Sequence, residues 1–216
     1  MGCGHPITIN NTYALEKEYS WTGVSVDIGP NELNSYDLIG RLNVPNTISE
    51  YEEFWNKNRN TPIICKSALE IDYSKFFKEY NLPKNIDYLS IDLDPQETTL
   101  ECLFKIPFSE YTFNIITFET DFYNKIVDTR TPAREFLSDF GYLPVNNEKV
   151  MIPFLPPARI MGPSEWGGKW NFETCFMLDQ EDWYIHESII DKTDFEFKDM
   201  IITGFKEKSQ WWEDNQ

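Results

Sequence analysis

The sequence predicts an α/β protein, a three-layer α/β/α domain around a mainly parallel sheet. Three observations lead there. Short β-prone runs alternate with helical stretches over residues 24–118. Polar or acidic residues close those runs, among them Asp27, Asp92, Asp94, Glu119 and Asp121. The run Ile86-Asp87-Tyr88-Leu89-Ser90-Ile91-Asp92-Leu93-Asp94-Pro95 is too short for a helix, is rich in apolar residues and is stopped by a proline. That is the pattern of a strand covered on both faces. In an open α/β sheet ligands bind beyond the carboxyl ends of the strands, where Asp92 and Asp94 would stand. A solvated Asp-Pro turn is the plainer reading of the same residues.

The elements follow in order. Gly2-Cys3-Gly4-His5-Pro6 is a glycine-rich turn, which lets backbone approach a ligand closely; a simple turn explains it equally well. Asparagine at 10 and 11 caps a helix running to Tyr19. Gly23 ends that segment, and Val24-Ser25-Val26 form a short strand closed by Asp27. An acid about 20 residues beyond a glycine turn is the spacing that serves ribose hydroxyls in nucleoside-binding folds; a helix N-cap is the alternative. Ser49 and Glu52 have capping-box spacing for a helix ending near Arg59. Ile63-Ile64-Cys65 is a strand, residues 73–80 a helix, residues 98–104 another, and residues 111–118 a strand ending in Glu119 and Asp121. Residues 132–139 form a last helix, closed by Gly141. Residues 153–180 read as a long irregular loop with two tryptophans, the kind that often serves as a lid, and residues 206–216 as a polar tail.

At 216 residues and 41% hydrophobic content the chain is expected to form one globular domain over residues 1–216. A formal charge of −17 argues against nucleic acid and against an anionic membrane surface as partners. No apolar run reaches the length of a membrane span, and the start lacks signal-peptide character. Four cysteines without a CxxC pair read as reduced thiols of a cytoplasmic protein with no zinc site.

Taken together, several segments resemble FkbM-type methyltransferases, most closely their small phage-like and marine relatives. The Gly-Cys-Gly-His-Pro turn with Asn-Asn-Thr-Tyr-Ala-Leu-Glu-Lys-Glu-Tyr is similar to that family's first cofactor loop. Trp21-Thr22-Gly23-Val24-Ser25-Val26-Asp27 resembles its second strand, Cys65-Lys66-Ser67-Ala68-Leu69 the segment beside adenine, and Asp87 to Asp94 its fourth strand. Phe118-Glu119-Thr120-Asp121 and Glu181-Asp182-Trp183-Tyr184-Ile185-His186 complete the likeness, which covers residues 1–145 and 181–187. The resemblance implies a Rossmann-like, class I S-adenosylmethionine fold and methyl transfer to a hydroxyl of a sugar or natural product. It implies that Gly2 and Gly4 line the methionine part of S-adenosylmethionine, that Asp27 binds its ribose, and that Ser67 and Ala68 lie beside its adenine. Asp92 and Asp94 would face the methionine amine or the acceptor.

Three departures from the family stand out. Ser67 stands where an Asp is common, and Thr120 where a His is common. The family's first strand, which precedes the glycine turn, has no counterpart ahead of Met1. That central slot is therefore expected to be filled by a later segment or a second chain, or to leave the fold marginally stable.

Transfer of a methyl group from a sulfonium needs positioning of the acceptor and, for a hydroxyl, a base. Glu119, Asp94 and His186 are the candidate catalytic groups. His186 packed on Trp183 at the surface, and Glu119 as a helix cap, are the structural alternatives. His5 is expected to shape its turn. No spacing among the acids requires a metal. Two function classes emerge: an active methyltransferase, as a monomer or a homo-oligomer, on a small-molecule or glycan acceptor, or a non-catalytic relative that binds cofactor weakly or only a partner protein.

Overall fold

The computed structural model describes residues 1–7, 10–30, 45, 47–120, 127–145 and 181–190. The expectations for residues 153–180 and 206–216, for Asp121 and for Trp166, Trp170, Trp211 and Trp212 lie outside the described residues. The fold is mixed α/β, with parallel strand pairs and helices between them. No described helix is long and apolar enough to cross a membrane.

The predicted elements form with shifts of one or two residues at their ends. Helix α1 spans Tyr13–Tyr19 and stops at Ser20, whose φ of 58° turns the chain out of the helix. Strand β1 is Ser25–Asp27. Helix α2 spans Ile48–Asn58, and its cap differs from the expected one. Thr47, in extended conformation, accepts from the Glu50 amide, and its hydroxyl donates to the Glu50 carboxylate at 2.8 Å. Thr47/Glu50 and Ser49/Glu52 share the capping-box spacing, and the earlier pair makes the cap. Strand β2 is Ile63–Cys65, and helix α3 is Tyr73–Glu79, capped by Asp72 accepting from the Lys75 amide. Then come β3 (Asn85–Ile91), α4 (Gln96–Lys105), β4 (Thr112–Glu119) and α5 (Arg130–Ser138). Gly141, at φ 81°, makes the turn into β5, Tyr142–Val145. The last strand is β6, Glu181–His186.

The single, mainly parallel sheet expected from the sequence is corrected in two ways. There are two sheets among the described residues, β1-β2 and β3-β4-β6-β5. Within the second, β3 and β4 are parallel, but β6 inserts between β4 and β5 and runs against both. β6 places Asp182 and Tyr184 on one buried face, while on its other face Trp183 is exposed and Ile185 is buried. Its neighbour in the sheet is remote in sequence, so local pattern could not place it.

One hydrophobic cluster spans both sheets. It joins Val26 and Ala68 to Leu89, Ile91, Ile116, Phe118 and Tyr184, and to Leu103, Ala133 and Leu137 of α4 and α5. Ser90 alternates with Leu89 and Ile91 and so points to the opposite face, where Asn11 donates to its hydroxyl at 3.1 Å. A smaller cluster of Tyr51, Trp55 and Ile63 seats α2 on β2.

The first two residues tie the sheets together. The Met1 ammonium donates to the Ser90 carbonyl at 2.7 Å, and the Met1 carbonyl accepts from the Asp92 amide at 3.1 Å. That pair of bonds is one rung of a parallel ladder, with Met1 opposite Ile91. On the other side the Gly2 amide donates to the Val26 carbonyl at 2.9 Å.

A buried polar network locks the glycine turn to α1 and α2. Arg59, 4% exposed, donates through Nε to Glu16 at 2.8 Å, through Nη1 to the Pro6 carbonyl and Asn10 Oδ1, and through Nη2 to the Thr12 hydroxyl. Its guanidinium lies 4.8 Å from the centre of the Trp55 ring. Glu16 also accepts from the Asn60 and Thr61 amides and the Thr61 hydroxyl.

Candidate site at the carboxyl ends of the strands

Asp27 is the last residue of β1, so its side chain meets the glycine turn as the chain leaves the sheet. One carboxylate oxygen accepts from the Gly4 amide at 2.8 Å, and the other from the Gly29 amide at 2.8 Å. The Tyr51 hydroxyl donates to the Gly4 carbonyl from the other side. Gly2 lies flat on the end of β3. Its φ is 68°, and a Cβ there would overlap the Asp92 carbonyl oxygen. Only glycine fits both conditions. Glycine turn, Asp27 and Asp92 are therefore fixed to one another through backbone contacts.

His5 follows the turn and shapes it, as expected. Its Nδ1 accepts from the Ile7 amide at 3.2 Å, and its ring meets Phe54 edge-on. Ser67, just beyond β2, is half-buried. Ala68 follows it on the inward side. It is 6% exposed, belongs to the main core, and gives its carbonyl to the Tyr73 hydroxyl.

The second part of the site lies on β3, β4 and β6. Asp92 leaves the end of β3. Glu119 and Glu181 stand opposite each other at the paired ends of β4 and β6. Partial burial and the neighbouring Asp92 charge hold the Asp94 carboxyl above its usual range. Burial also raises the Glu181 carboxyl. The hydrogen bond from Trp183 Nε1 at 2.6 Å opposes that rise, and the charges of Asp92 and Asp182 add to it. Tyr88 donates to or accepts from Thr117 at 2.7 Å on this face, and its phenol is raised, first by burial.

Searches with the chain find nothing similar. No protein-family model, no curated protein and no solved structure matches it.

His186 is not part of this assembly, and the expectation that it acts as a base there is corrected. β6 runs antiparallel to β4, so its first residue meets Glu119 while its last lies at the opposite end of the sheet. Five residues at about 3.4 Å each put His186 roughly 17 Å away. Its Nε2 contacts the Phe140 carbonyl, its Nδ1 contacts Ser188, and its ring stacks edge-on against Tyr142 rather than Trp183. The same reversal brings Glu181 to the site, a residue the sequence reading passed over. Its signal was present in the Glu-Asp-Trp-Tyr-Ile-His motif, but direction along a strand cannot be read from one strand alone.

The thiol of Cys3 sits inside the glycine turn, against the Val26 carbonyl at 3.6 Å. Burial and the Asp27 charge push it up to about 12. Cys65, at the end of β2, is pushed up to about 11 by burial and by the Glu52 and Asp27 charges. Cys3, Cys65 and Cys102 are free.

Proposed function

We propose that this protein is an S-adenosylmethionine-dependent methyltransferase with a Rossmann-like arrangement, acting on a hydroxyl of a sugar or small natural product. The observation that carries the reading is the Asp27 clamp. A strand-end carboxylate is held by the amides of Gly4 and Gly29, beside a glycine turn that only glycine can form. A carboxylate has about four lone-pair sites. The two amides occupy two of them and leave acceptor capacity for a ribose diol.

In this reading Gly2 and Gly4 border the methionine part, Asp92 receives its amine, and Ser67 borders the adenine. S-adenosylmethionine, when bound, would supply an electrophilic methyl group to the acceptor hydroxyl, and a carboxylate of this chain would take the hydroxyl proton. Asp94 suits that role, because a raised carboxyl is a better base near neutral pH. Glu119 and Glu181 border the acceptor side.

Calorimetry with S-adenosylhomocysteine tests the assignment. Asp27→Ala is expected to weaken binding by about 1.5–3 kcal/mol, the loss typical of hydrogen bonds to a charged group. Unchanged affinity in that variant, or no heat from the parent chain with either S-adenosylmethionine or S-adenosylhomocysteine, would remove the proposal.

A further inference from the structure

We propose, resting on the reading of Asp27 as the ribose acceptor, that Tyr51 is a positioning residue of the cofactor site. It sets Gly4 against the Asp27 carboxylate and so fixes where that carboxylate presents its remaining acceptor sites. Tyr51 comes from α2, which supplies neither the glycine turn nor a strand end.

Gly4 is gripped from two sides. Its amide donates to Asp27 at 2.8 Å, and its carbonyl accepts from the Tyr51 hydroxyl. The amide and the carbonyl of one residue belong to two different peptide planes, joined only through its φ and ψ. Gly4 stands at φ 49°, and glycine has many other conformations open to it. Asp27 holds one plane and Tyr51 the next, which removes that freedom. Among the described residues a Cβ on Gly4 would meet nothing within 4 Å, so its third side faces open space. Tyr51 reaches the other arm of the clamp as well. Its Cδ1 lies 3.7 Å from the point that a Cβ on Gly29 would occupy. The two glycines whose amides hold Asp27 thus share one aromatic neighbour.

The phenol is itself held in place. It is 2% exposed, and it packs with Trp55 and Ile63 and against Cys3 and Cys65. Burial first, and then the Asp27 charge, push its pKa up, so the hydroxyl keeps its proton and remains a donor. Other residues of α2 continue the grip along the turn. Phe54 meets the His5 ring edge-on at 5.4 Å, and Arg59, the C-cap of α2, donates to the Pro6 carbonyl at 3.1 Å. Helical residues three and four apart share a face, so Gly4, His5 and Pro6 are held in succession from one helix. Tyr51 is the member of that row that touches the partners of Asp27.

The test is a double-mutant cycle on the full 216-residue chain, read by calorimetry with S-adenosylhomocysteine. Tyr51→Phe keeps the ring and removes only the hydroxyl. It is expected to weaken binding about tenfold. On top of Asp27→Ala the same change should cost less than about twofold, because a residue that acts through Asp27 has nothing left to position. Thr47→Ala is the control for general loosening. It removes the cap of α2 without touching the turn, and affinity should stay within about twofold of the parent. Without ligand, the Gly4 amide should exchange its hydrogen at least about tenfold faster in Tyr51→Phe than in the parent, with the Trp55 amide inside α2 unchanged.

Additive losses in the cycle, an unchanged Gly4 amide, or a Thr47→Ala chain weakened as much as Tyr51→Phe would each overturn the assignment. Should Asp27→Ala bind too weakly for a measurable heat, the Gly4 exchange and the Thr47→Ala control decide. A parent that binds, with Asp27→Ala weakened and Tyr51→Phe unchanged, overturns the Tyr51 assignment alone. A parent that gives no heat, or an Asp27→Ala chain that binds as well as the parent, overturns the ribose reading and the Tyr51 assignment with it.

Discussion

Asp182→Ala is expected to cost about 3–5 kcal/mol of folding stability, enough to leave a marginal domain largely unfolded. Asp182 is 1% exposed on β6. Arg130 Nε donates to one of its oxygens at 2.9 Å. Arg134 donates to both, at 2.6 Å and 3.1 Å, and the Tyr184 hydroxyl donates at 3.1 Å. Burial alone would raise this carboxyl, yet the two arginines hold it below its usual range. Truncation removes the carboxylate that Arg130, Arg134 and the Tyr184 phenol share. It also removes the ion pairs between α5 and β6, leaving α5 held by the packing of Ala133 and Leu137. Urea denaturation monitored by far-UV circular dichroism gives the cost. A loss below about 1 kcal/mol would show that water or relaxation replaces the carboxylate. Asp182→Asn, which keeps shape and one acceptor, should fall between parent and Ala.

The second large effect is expected at Arg59. Arg59→Met keeps much of the apolar stem over Trp55 but leaves Glu16 buried without its main cation, and about 3–5 kcal/mol should be lost. The pH dependence is a separate signature of the same network. Burial pushes the Glu16 carboxyl up, but hydrogen bonds from Thr61, Asn60, Arg59 and Lys17 outweigh it and bring it from 4.5 to about 2. A carboxyl lowered on folding stabilises above its unfolded pKa, and that contribution disappears as pH falls through the folded one. Between about pH 5 and pH 2 the parent should therefore lose roughly 3 kcal/mol through this group, at about 1.4 kcal/mol per unit. Glu16→Gln should start less stable at pH 7 and show a flatter decline over that window. Parallel curves for parent and variant would mean that the network does not discriminate the charge state.

The helices and first four strands were legible because each carries its own signal. Ile63-Ile64-Cys65 is a strand by composition, and Asp72 caps α3 by its chemistry. The α2 cap was displaced by two residues because two pairs offered the same spacing. β6 was hidden for a different reason. Its hydrophobic alternation is interrupted by Asp182, and that acid belongs in the core only once Arg130 and Arg134 are beside it. Long-range charge pairing of this kind has no local signature. The site was legible in part. Strand-end acids and the glycine turn follow from the order of elements, so Asp27, Gly4, Gly2 and Asp92 came together. His186 and Glu181 exchanged places because antiparallel insertion reverses which end of the motif meets Glu119.

The raised thiol of Cys3 has a bearing on how the turn withstands oxidative stress. Peroxide and alkylating agents react with thiolate, not thiol. A pKa of about 12 leaves on the order of one molecule in 10⁴ to 10⁵ ionised near neutral pH. Sulfenic acid formation at Cys3, the first step of the oxidation ladder, is thus slowed first by burial of the thiol in the turn and then by the Asp27 charge. The packing that buries the thiol, with the Asp27 charge beside it, shields the loop from chemical damage.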